Sequence, residues 1–363
     1  MHPRTGQEES RGAHEHRRLR PGSYNLCALQ PDIGPDLTAV ADPQSVPADF
    51  LDEAMRQVDE VILQRLSSQV VLIDQIGRYI VSAGGKRIRP RLLLLFAEAF
   101  GFTGPERLEL AATVEFIHTA TLLHDDVVDE SSLRRGRPTA NALFGNAPSV
   151  LVGDFLYSRA FQMMVSVERM RVLAVLADAT NVIAEGEVLQ MMNMHDPDLA
   201  VEQYLRVIRY KTAKLFEASA RLGALLGGAS PQAEEACADF GRRLGTAFQL
   251  VDDLLDYEGD SQELGKNVGD DLREGKPTLP LLVAMERCTD AERELLRAAV
   301  RDGEVERLAE IIDVIRRTGA LEATREAAQH EVDQARRDLD HLPQGRARAA
   351  LLELSARVVK RNS

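Results

Sequence analysis

Hydrophobic residues recur at three- and four-residue steps along most of this chain, which is the spacing of amphipathic helices. After Asp49 the first stripe consists of Phe50, Ala54, Val58, Val61, Ile62 and Leu66. Gly84-Gly85, Pro90 and the segment 101–105 interrupt the pattern, because glycine and proline are unfavourable inside helices. The pattern therefore predicts many helices separated by short breaks.

The segment from Glu106 to Glu130 has few charges, so we predict a helix that is buried on most of its faces. Further helices are predicted at 148–170, 171–194, 199–228, 232–258, 277–287, 290–341 (interrupted near Gly303 and Gly319) and 345–361. Runs of alternating apolar and polar residues joined by hairpin turns are missing from the sequence. The prediction is an all-α fold, with one domain spanning residues 48–363.

Residues 1–47 differ from the rest of the chain. They hold six of the 15 prolines and show no sustained hydrophobic period. Acidic residues beside the arginines of this segment do not suit a transit peptide. We expect either a disordered N-terminal extension without catalytic residues or a start site assigned too far upstream.

The composition excludes several classes of protein function. A net charge of −13 argues against general nucleic-acid binding, which requires basic residues to neutralise phosphates. Three widely spaced cysteines do not form a disulfide framework, so a reducing cytoplasm is expected. The longest apolar run, Leu92 to Ala97, is far shorter than the roughly 20 residues of a membrane helix, and no membrane span is predicted.

Two aspartate motifs with DDxxD spacing carry the candidate chemistry. Asp125 and Asp129 are one helical turn apart on an otherwise apolar segment, about 6 Å along the axis. The second motif places Asp252, Asp253 and Asp256 on another apolar helix. Neighbouring carboxylates repel each other unless a cation lies between them, and hard oxygen ligands favour Mg²⁺. A solvated acidic helix face would explain one copy, but two copies in apolar helices favour a metal site.

Basic clusters accompany these carboxylates. Four cations lie between Lys86 and Arg91, and three arginines lie between Arg134 and Arg137. Lys211 and Lys266 add single cations near apolar helices. In an acidic protein, such clusters beside Mg²⁺ ligands predict a diphosphate site, although surface solubility explains Arg87, Arg91 and Arg137 equally well.

Two other readings of the motifs are weaker. An adjacent His-Asp pair such as His124-Asp125 also occurs in a class of metal-dependent phosphohydrolases. Those enzymes need additional histidine ligands, and this chain has only eight histidines. Neither the phosphate-binding P-loop pattern nor a dinucleotide-binding glycine fingerprint occurs.

Taken together, these motifs resemble those of the trans-prenyl diphosphate synthases, also called polyprenyl synthetases. The resemblance covers about residues 50–363, and its closest match is the bacterial branch that makes octaprenyl diphosphate for the ubiquinone side chain. The stretches that carry it are GGKRIRP (84–90), HTATLLHDDVVDESSLRRGRPTAN (118–141), SVLVGDFLYSRAFQMM (149–164), AEGEVLQ (184–190), Lys211-Thr212 and GTAFQLVDDLLDYEGDSQELGKNVGDDLREGKPTLPLL (245–282).

The resemblance implies a role for each matching position. The diphosphate of isopentenyl diphosphate would be bound by Lys86, Arg89, His118 and Arg135. The allylic diphosphate and its reacting carbon would contact Arg134, Lys211, Thr212, Gln249 and Lys266, of which the last four are the catalytic set. Three Mg²⁺ ions would be held by Asp125, Asp126, Asp129, Asp252, Asp253 and Asp256, with Asp270 orienting metal-bound water. Ala120 and Thr121 would face the growing chain and set its length.

The implied protein is a homodimeric, single-domain helical bundle around a central cavity. Its expected reaction is Mg²⁺-dependent condensation of isopentenyl diphosphate with farnesyl diphosphate to a long all-trans product. A shorter- or longer-chain synthase of the same family is the main alternative. A terpene cyclase would lack the GGKRxRP segment, and a non-catalytic partner subunit would lack intact aspartate motifs.

Overall fold

A computed structural model describes residues 49–258, 269–303 and 305–360 of the chain. Nearly all of this part is helical. The helices are α1 Asp49–Leu66, α2 Val71–Ser82, α3 Ile88–Ala99, α4 Glu106–Val128, α5 Ala140–Phe144, α6 Asn146–Ser166, α7 Met170–Asn193, α8 Val201–Ile208, α9 Lys214–Leu226, α10 Pro231–Glu258, α11 Asp270–Arg273, α12 Leu279–Arg287, α13 Asp290–Asp302, α14 Leu308–Arg317, α15 Ala320–Asp338 and α16 Arg346–Val359. The all-α prediction is confirmed.

Most predicted helix boundaries lie within a few residues of those in the structure, but the helix predicted at 199–228 is divided and the break predicted at Pro90 is wrong. Gly303 and Gly319 adopt left-handed backbone conformations, with φ angles of 63° and 68°, and separate α13, α14 and α15 as expected. Pro90, in contrast, does not interrupt the chain. It is the third residue of α3, where a proline is tolerated because the first backbone N–H groups of a helix have no partner within it.

One small β-hairpin interrupts the helices. Strands β1 (Leu133–Arg134) and β2 (Arg137–Pro138) pair antiparallel, with Arg134 opposite Arg137. Both residues of the connecting turn, Arg135 and Gly136, have positive φ angles, as two-residue hairpin turns require. The hairpin therefore fixes two adjacent arginines directly after the first aspartate motif.

Two hydrophobic clusters form the core. The larger one joins α1–α4 with α6, α7, α9 and α16, and the smaller one joins α8, the end of α10 and α12–α15. Helix α4 packs against α3, α6 and α9, which explains why it is apolar on most sides. Helix α10 packs against α9 and α15. The two long helices that carry the aspartate motifs are thus held by packing over most of their length.

The described residues also bear on the compositional predictions. Within them no helix is long and apolar enough to cross a membrane. Cys237 and Cys288 are free, buried thiols. The N-terminal extension predicted at residues 1–47 lies outside the described residues, and the cytoplasmic location stays a prediction.

Candidate active site

One cavity brings the two aspartate motifs face to face. Its lining residues include Asp125, Asp129, Gln190, Asn193, Tyr204, Lys211, Thr212, Gln249, Asp252, Asp253, Asp271 and Lys276. The first motif lies at the C-terminal end of α4, and the second lies in the last two turns of α10. The backbone dipole makes a helix C-terminus partially negative, so carboxylates placed there need cations nearby.

Two lysines supply positive charge on the first motif. Lys211 Nζ lies 3.7 Å from Asp125 Oδ1 and 2.6 Å from Glu187 Oε2, and Lys276 Nζ lies 3.1 Å from Asp129 Oδ2. Burial raises the pKa of Asp125. The nearby carboxylate of Asp129 raises it further, whereas Lys211 lowers it. Burial together with Asp125 raises the pKa of Glu187 to about 7. The cavity thus concentrates carboxylates whose charges are only partly balanced.

The donor chemistry of this cavity suits a hard divalent cation. Asp125 and Asp129 on one wall and Asp252 on the other offer carboxylate oxygens, which are the ligands that Mg²⁺ prefers. In the described part of the chain no three acidic, histidine or cysteine residues lie close enough to hold a metal by themselves. Mg²⁺ commonly completes its coordination with water and substrate phosphates, so this sparse protein donor set fits it.

A π-helical turn positions the two central catalytic candidates. Residues Arg209–Ala213 form a π-turn between α8 and α9 that contains Lys211 and Thr212. Such turns are rare and are often found at functional sites. Gly186 of α7 makes room for this turn, because a Cβ atom there would lie 2.5 Å from the Lys211 backbone nitrogen. This close approach explains the glycine in the AEGEVLQ stretch.

Polar side chains are linked beside this turn. The Thr212 hydroxyl donates to Gln249 Oε1 over 2.9 Å, and Gln249 Nε2 donates to Asp253 Oδ1 over 2.7 Å. The other oxygen of Asp253 accepts from the hydroxyl of Tyr204. Burial raises the pKa of Asp253 to about 8, with a further contribution from Asp271. Asp256, one turn later, accepts from the backbone N–H of Asp271 over 3.2 Å.

A second cavity, next to the first, contains four arginines in its lining. Its wall contains Tyr79, Gly84, Arg87, Glu115, Thr119, Leu122, Asp126, Arg134, Arg135 and Arg137. Arg135 donates to the Gly84 carbonyl, and a Cβ atom on Gly85 would lie 2.7 Å from the Arg135 guanidinium. Gly85 of the GGKRIRP stretch therefore makes room for this arginine.

His118 and Arg89 add to this positive region. Burial and the nearby arginines Arg89, Arg135, Arg134 and Arg87 hold the pKa of His118 well below its usual value, so the ring is neutral. The Arg89 guanidinium stacks 4.5 Å from the centre of the Phe216 ring, and burial lowers its pKa to about 10. So many mutually repelling cations indicate a site for a multiply charged anion.

Arg134 and Asp126 form an ion pair in the wall of the second cavity. Arg134 Nε donates to Asp126 Oδ1 over 2.7 Å, and Asp126 is almost completely buried. Burial would lower the pKa of Arg134, but Asp126, Asp125 and Asp129 together raise it, so the charge is retained. The backbone carbonyl of Asp126 also accepts from Asn141 Nδ2 over 3.0 Å.

The remaining predicted residues are more scattered. Lys86 is exposed before α3, Asp270 begins α11 and pairs with Arg273, and Lys266 lies outside the described residues. Ala120 is fully buried, whereas Thr121 is partly exposed and donates to the His118 carbonyl over 2.9 Å. Neither of these two lines the cavities described above.

Three residues of the site were not predicted from the sequence. Glu187 pairs with Lys211, Lys276 pairs with Asp129, and Tyr204 pairs with Asp253. Glu187 and Lys276 lie inside stretches that carry the family resemblance, but their type and spacing alone suggested no role. Tyr204 lies outside those stretches.

Comparison with known proteins identifies the family. A sequence profile described as polyprenyl synthetase matches residues 70–315. The chain is 55% identical over 309 residues to octaprenyl diphosphate synthase of Escherichia coli, which covers 85% of this chain and 96% of that protein. The octaprenyl diphosphate synthase of Haemophilus influenzae is 50% identical over 312 residues, with coverages of 86% and 95%.

Solved structures agree with this assignment. A polyprenyl synthase from Caulobacter crescentus, complexed with calcium and isoprenyl diphosphate, has a TM-score of 0.84 and 45% identity, with 87% of this chain and 97% of that chain covered. The profile and the relatives cover most of the chain and both aspartate motifs. The chain belongs to the polyprenyl synthetase family and is a trans-prenyltransferase.

Proposed function

We propose that this enzyme condenses isopentenyl diphosphate with farnesyl diphosphate and elongates it to octaprenyl diphosphate, the precursor of the ubiquinone side chain. The observation that carries the proposal is the pair of adjacent cavities. One is lined by carboxylates and lysines, and the other contains four arginines, including Arg134 in its ion pair with Asp126. Two anionic substrates can therefore bind side by side.

The arginine-lined cavity is the proposed isopentenyl diphosphate site. Arg135 lines it, His118 and Arg89 are buried near Arg135, and Lys86 lies on the loop before α3. Guanidinium groups bind phosphate oxygens in pairs, and a diphosphate would relieve their mutual repulsion. Thr119 and Leu122 lie on the same wall and would contact the short isoprene unit.

The carboxylate-lined cavity is the proposed allylic site. Asp125, Asp129 and Asp252 would hold Mg²⁺ together with the diphosphate, supported by Asp126, Asp253 and Asp256. Bound Mg²⁺ would draw negative charge onto the leaving diphosphate. Arg134, Lys211 and Lys266 would bind the same diphosphate, which requires Lys211 to exchange its contacts with Asp125 and Glu187 for phosphate oxygens.

The protein's own part in the reaction is positioning and charge stabilisation. As the allylic carbon–oxygen bond breaks, Thr212 and Gln249 would place oxygen atoms near the developing cation without attacking it. The alkene of isopentenyl diphosphate forms the new carbon–carbon bond, and a proton leaves, which the departing diphosphate accepts. The elongated allylic diphosphate then serves as the next starter.

A homodimer is part of the proposal. Several large apolar side chains are exposed on helices α6 and α7. They are Leu151, Phe161, Val165, Val188, Met191 and Met192, each between 38% and 71% exposed. A two-fold interface between copies of this surface would cover them.

The test is an elongation assay with the purified full-length chain, Mg²⁺, farnesyl diphosphate and labelled isopentenyl diphosphate. The products are dephosphorylated and sized by chromatography. Octaprenyl diphosphate is the expected main product, and an all-trans chain of another length would support the shorter- or longer-chain alternative. No incorporation at any starter length would contradict the prenyltransferase proposal and favour a non-catalytic partner subunit.

A further inference from the structure

A line of four hydrogen-bonded side chains runs from the cavity into the smaller core. Thr212 in the π-turn donates to Gln249 over 2.9 Å, Gln249 donates to Asp253 over 2.7 Å, and Tyr204 of α8 donates to the second oxygen of Asp253. We call these four residues the polar relay. Its inner half is nearly buried, since Tyr204 and Asp253 are only 5% and 3% exposed.

A buried carboxylate is an energetically unfavourable way to make a purely structural contact. Burying a carboxylate costs several kcal/mol unless hydrogen bonds compensate it, and apolar residues would join α8 to α10 more cheaply. Here both carboxylate oxygens of Asp253 accept a hydrogen bond, one from Tyr204 of α8 and one from Gln249 on its own helix, α10. The contact therefore holds the carboxylate in one orientation.

The donor and acceptor atoms determine the direction of every bond in the relay. Both oxygens of Asp253 accept a hydrogen bond, one from the Tyr204 hydroxyl and one from the Gln249 amide nitrogen. The Gln249 amide nitrogen is thereby turned towards Asp253, which leaves its oxygen facing Thr212. Thr212 must then donate its single hydroxyl proton to Gln249, and its oxygen lone pairs point elsewhere.

We infer that Tyr204 is a positioning residue that, through Asp253, fixes the direction of the Gln249–Thr212 hydrogen bond so that both oxygens present lone pairs to the allylic carbon. The inference rests on the proposed function, because that function places a developing cation beside Thr212 and Gln249. Preoriented oxygen dipoles stabilise such a cation without reorganising during the reaction. If the bonds ran in the opposite direction, N–H or O–H groups would face the cation and destabilise it.

This role differs from the metal-binding role predicted for Asp253 from its motif. A residue that supports Mg²⁺ changes the metal requirement when its hydrogen bonds are altered. A residue that orients Gln249 changes kcat at saturating Mg²⁺ and leaves both the half-saturating Mg²⁺ concentration and the KM for isopentenyl diphosphate unchanged.

The first variant is Tyr204→Phe, which removes one hydroxyl from the relay. We expect kcat to fall roughly tenfold, the scale of one buried hydrogen bond. The KM for isopentenyl diphosphate and the Mg²⁺ requirement should not change. The matched control is Tyr257→Phe, which removes a hydroxyl from an equally buried tyrosine of the same core that is outside the relay, and it should keep wild-type kcat.

Double variants test whether Tyr204 acts through Thr212. In a Thr212→Val background, which has no hydroxyl to orient, Tyr204→Phe should cost much less than in the wild type, because only the Gln249 oxygen remains to be oriented. In a Thr212→Ser background, which keeps the hydroxyl, the roughly tenfold loss should return. Asp253→Asn provides a second series with the same side-chain shape, because its amide can donate towards Gln249 and no longer imposes the direction.

Three results would overturn the inference: wild-type kcat in Tyr204→Phe, losses that multiply in the Thr212→Val background, or a raised Mg²⁺ requirement in Tyr204→Phe. If Tyr204→Phe does not fold, the Asp253→Asn variant tests the inference instead. Its kcat is then compared in the wild-type, Thr212→Val and Thr212→Ser backgrounds. Absence of condensation by the wild-type enzyme would instead contradict the proposed function.

Discussion

Lys276 and Asp129 are 147 positions apart in the chain, yet the lysine Nζ lies 3.1 Å from Asp129 Oδ2. Burial would lower the pKa of Lys276, but Asp129, Glu274 and Asp271 together raise it, so the ammonium stays charged. The segment after the second aspartate motif is thereby joined to the first motif by a nearly buried ion pair. We infer that Lys276 keeps Asp129 in place and adds positive charge for the allylic diphosphate.

The first prediction follows from this pair. Lys276→Gln should lower kcat by ~10²-fold, because a preorganised charge next to the leaving diphosphate is lost. Steady-state kinetics at saturating Mg²⁺ measures the effect. Lys360→Gln removes an exposed lysine at the end of α16 and should behave like the wild type. Equal activity of both variants would show that the ion pair serves only the fold.

The second prediction concerns the aspartates themselves. Asp125→Ala or Asp252→Ala should each lower turnover at least ~10²-fold, since each removes a proposed Mg²⁺ ligand at a partially negative helix end. Circular dichroism and melting temperature verify folding. Asp313→Ala, an exposed position on α14, is the control. Near-wild-type turnover of a folded Asp125 or Asp252 variant at saturating Mg²⁺ is incompatible with the metal assignment.

The third prediction separates the two hairpin arginines. Arg135→Ala should mainly raise the KM for isopentenyl diphosphate, because Arg135 lines the arginine-containing cavity and donates to the Gly84 carbonyl. Arg134→Ala should mainly impair the allylic substrate and lower the melting temperature, because it removes the guanidinium from buried Asp126. Both KM values are measured in both variants. Indistinguishable kinetic defects would mean that the two arginines do not serve separate sites.

The sequence predicted the parts of this site that depend on local pattern. The DDxxD spacing on apolar helices located the metal-ligand candidates on α4 and α10, and glycines located the breaks after α13 and α14. Contacts between distant segments were not predictable, because no local signal links Lys276 to Asp129 or Tyr204 to Asp253. The π-turn was also missed, since its sequence reads as continuous helix.

The fourth prediction concerns the protonation of His118. In the free enzyme burial and four nearby arginines hold its pKa well below the usual value, so the ring is neutral at about pH 6. A bound diphosphate brings negative charge, which raises the pKa towards or above that pH. Isopentenyl diphosphate binding should therefore take up more protons in the wild type than in His118→Gln.

Calorimetric titrations in two buffers of different ionisation enthalpy measure this proton uptake. Protons that the ligand itself gains or releases are the same in both proteins and cancel in the comparison. Identical uptake by the wild type and His118→Gln would show that the histidine does not gain charge beside the ligand.

The final prediction concerns product length. The growing chain is expected to extend from the aspartate motif along α4, past Thr121 and Ala120, and both side chains are small. Ala120 is completely buried in the larger core, which also contains Met163 and Met164 of α6. A phenyl ring at position 120 would occupy the space of the chain, because interiors packed to near-crystal density cannot hold both. With geranyl diphosphate as the starter, Ala120→Phe should therefore retain condensation but release products of farnesyl or geranylgeranyl length.

The matched control for this variant is Ala111→Phe. Ala111 is equally buried on α4 but lies nine residues earlier, which is about 180° around the helix. Both substitutions overpack the core at a cost of typically 1–3 kcal/mol, so both should lower the melting temperature similarly. Only the Ala120 variant should shorten the product, and a series of Val, Leu and Phe at that position should shorten it progressively. Wild-type product length throughout the series would show that the chain does not grow past this face of α4. Shortening by Ala111→Phe as well would point to a general loss of core packing rather than a blocked tunnel.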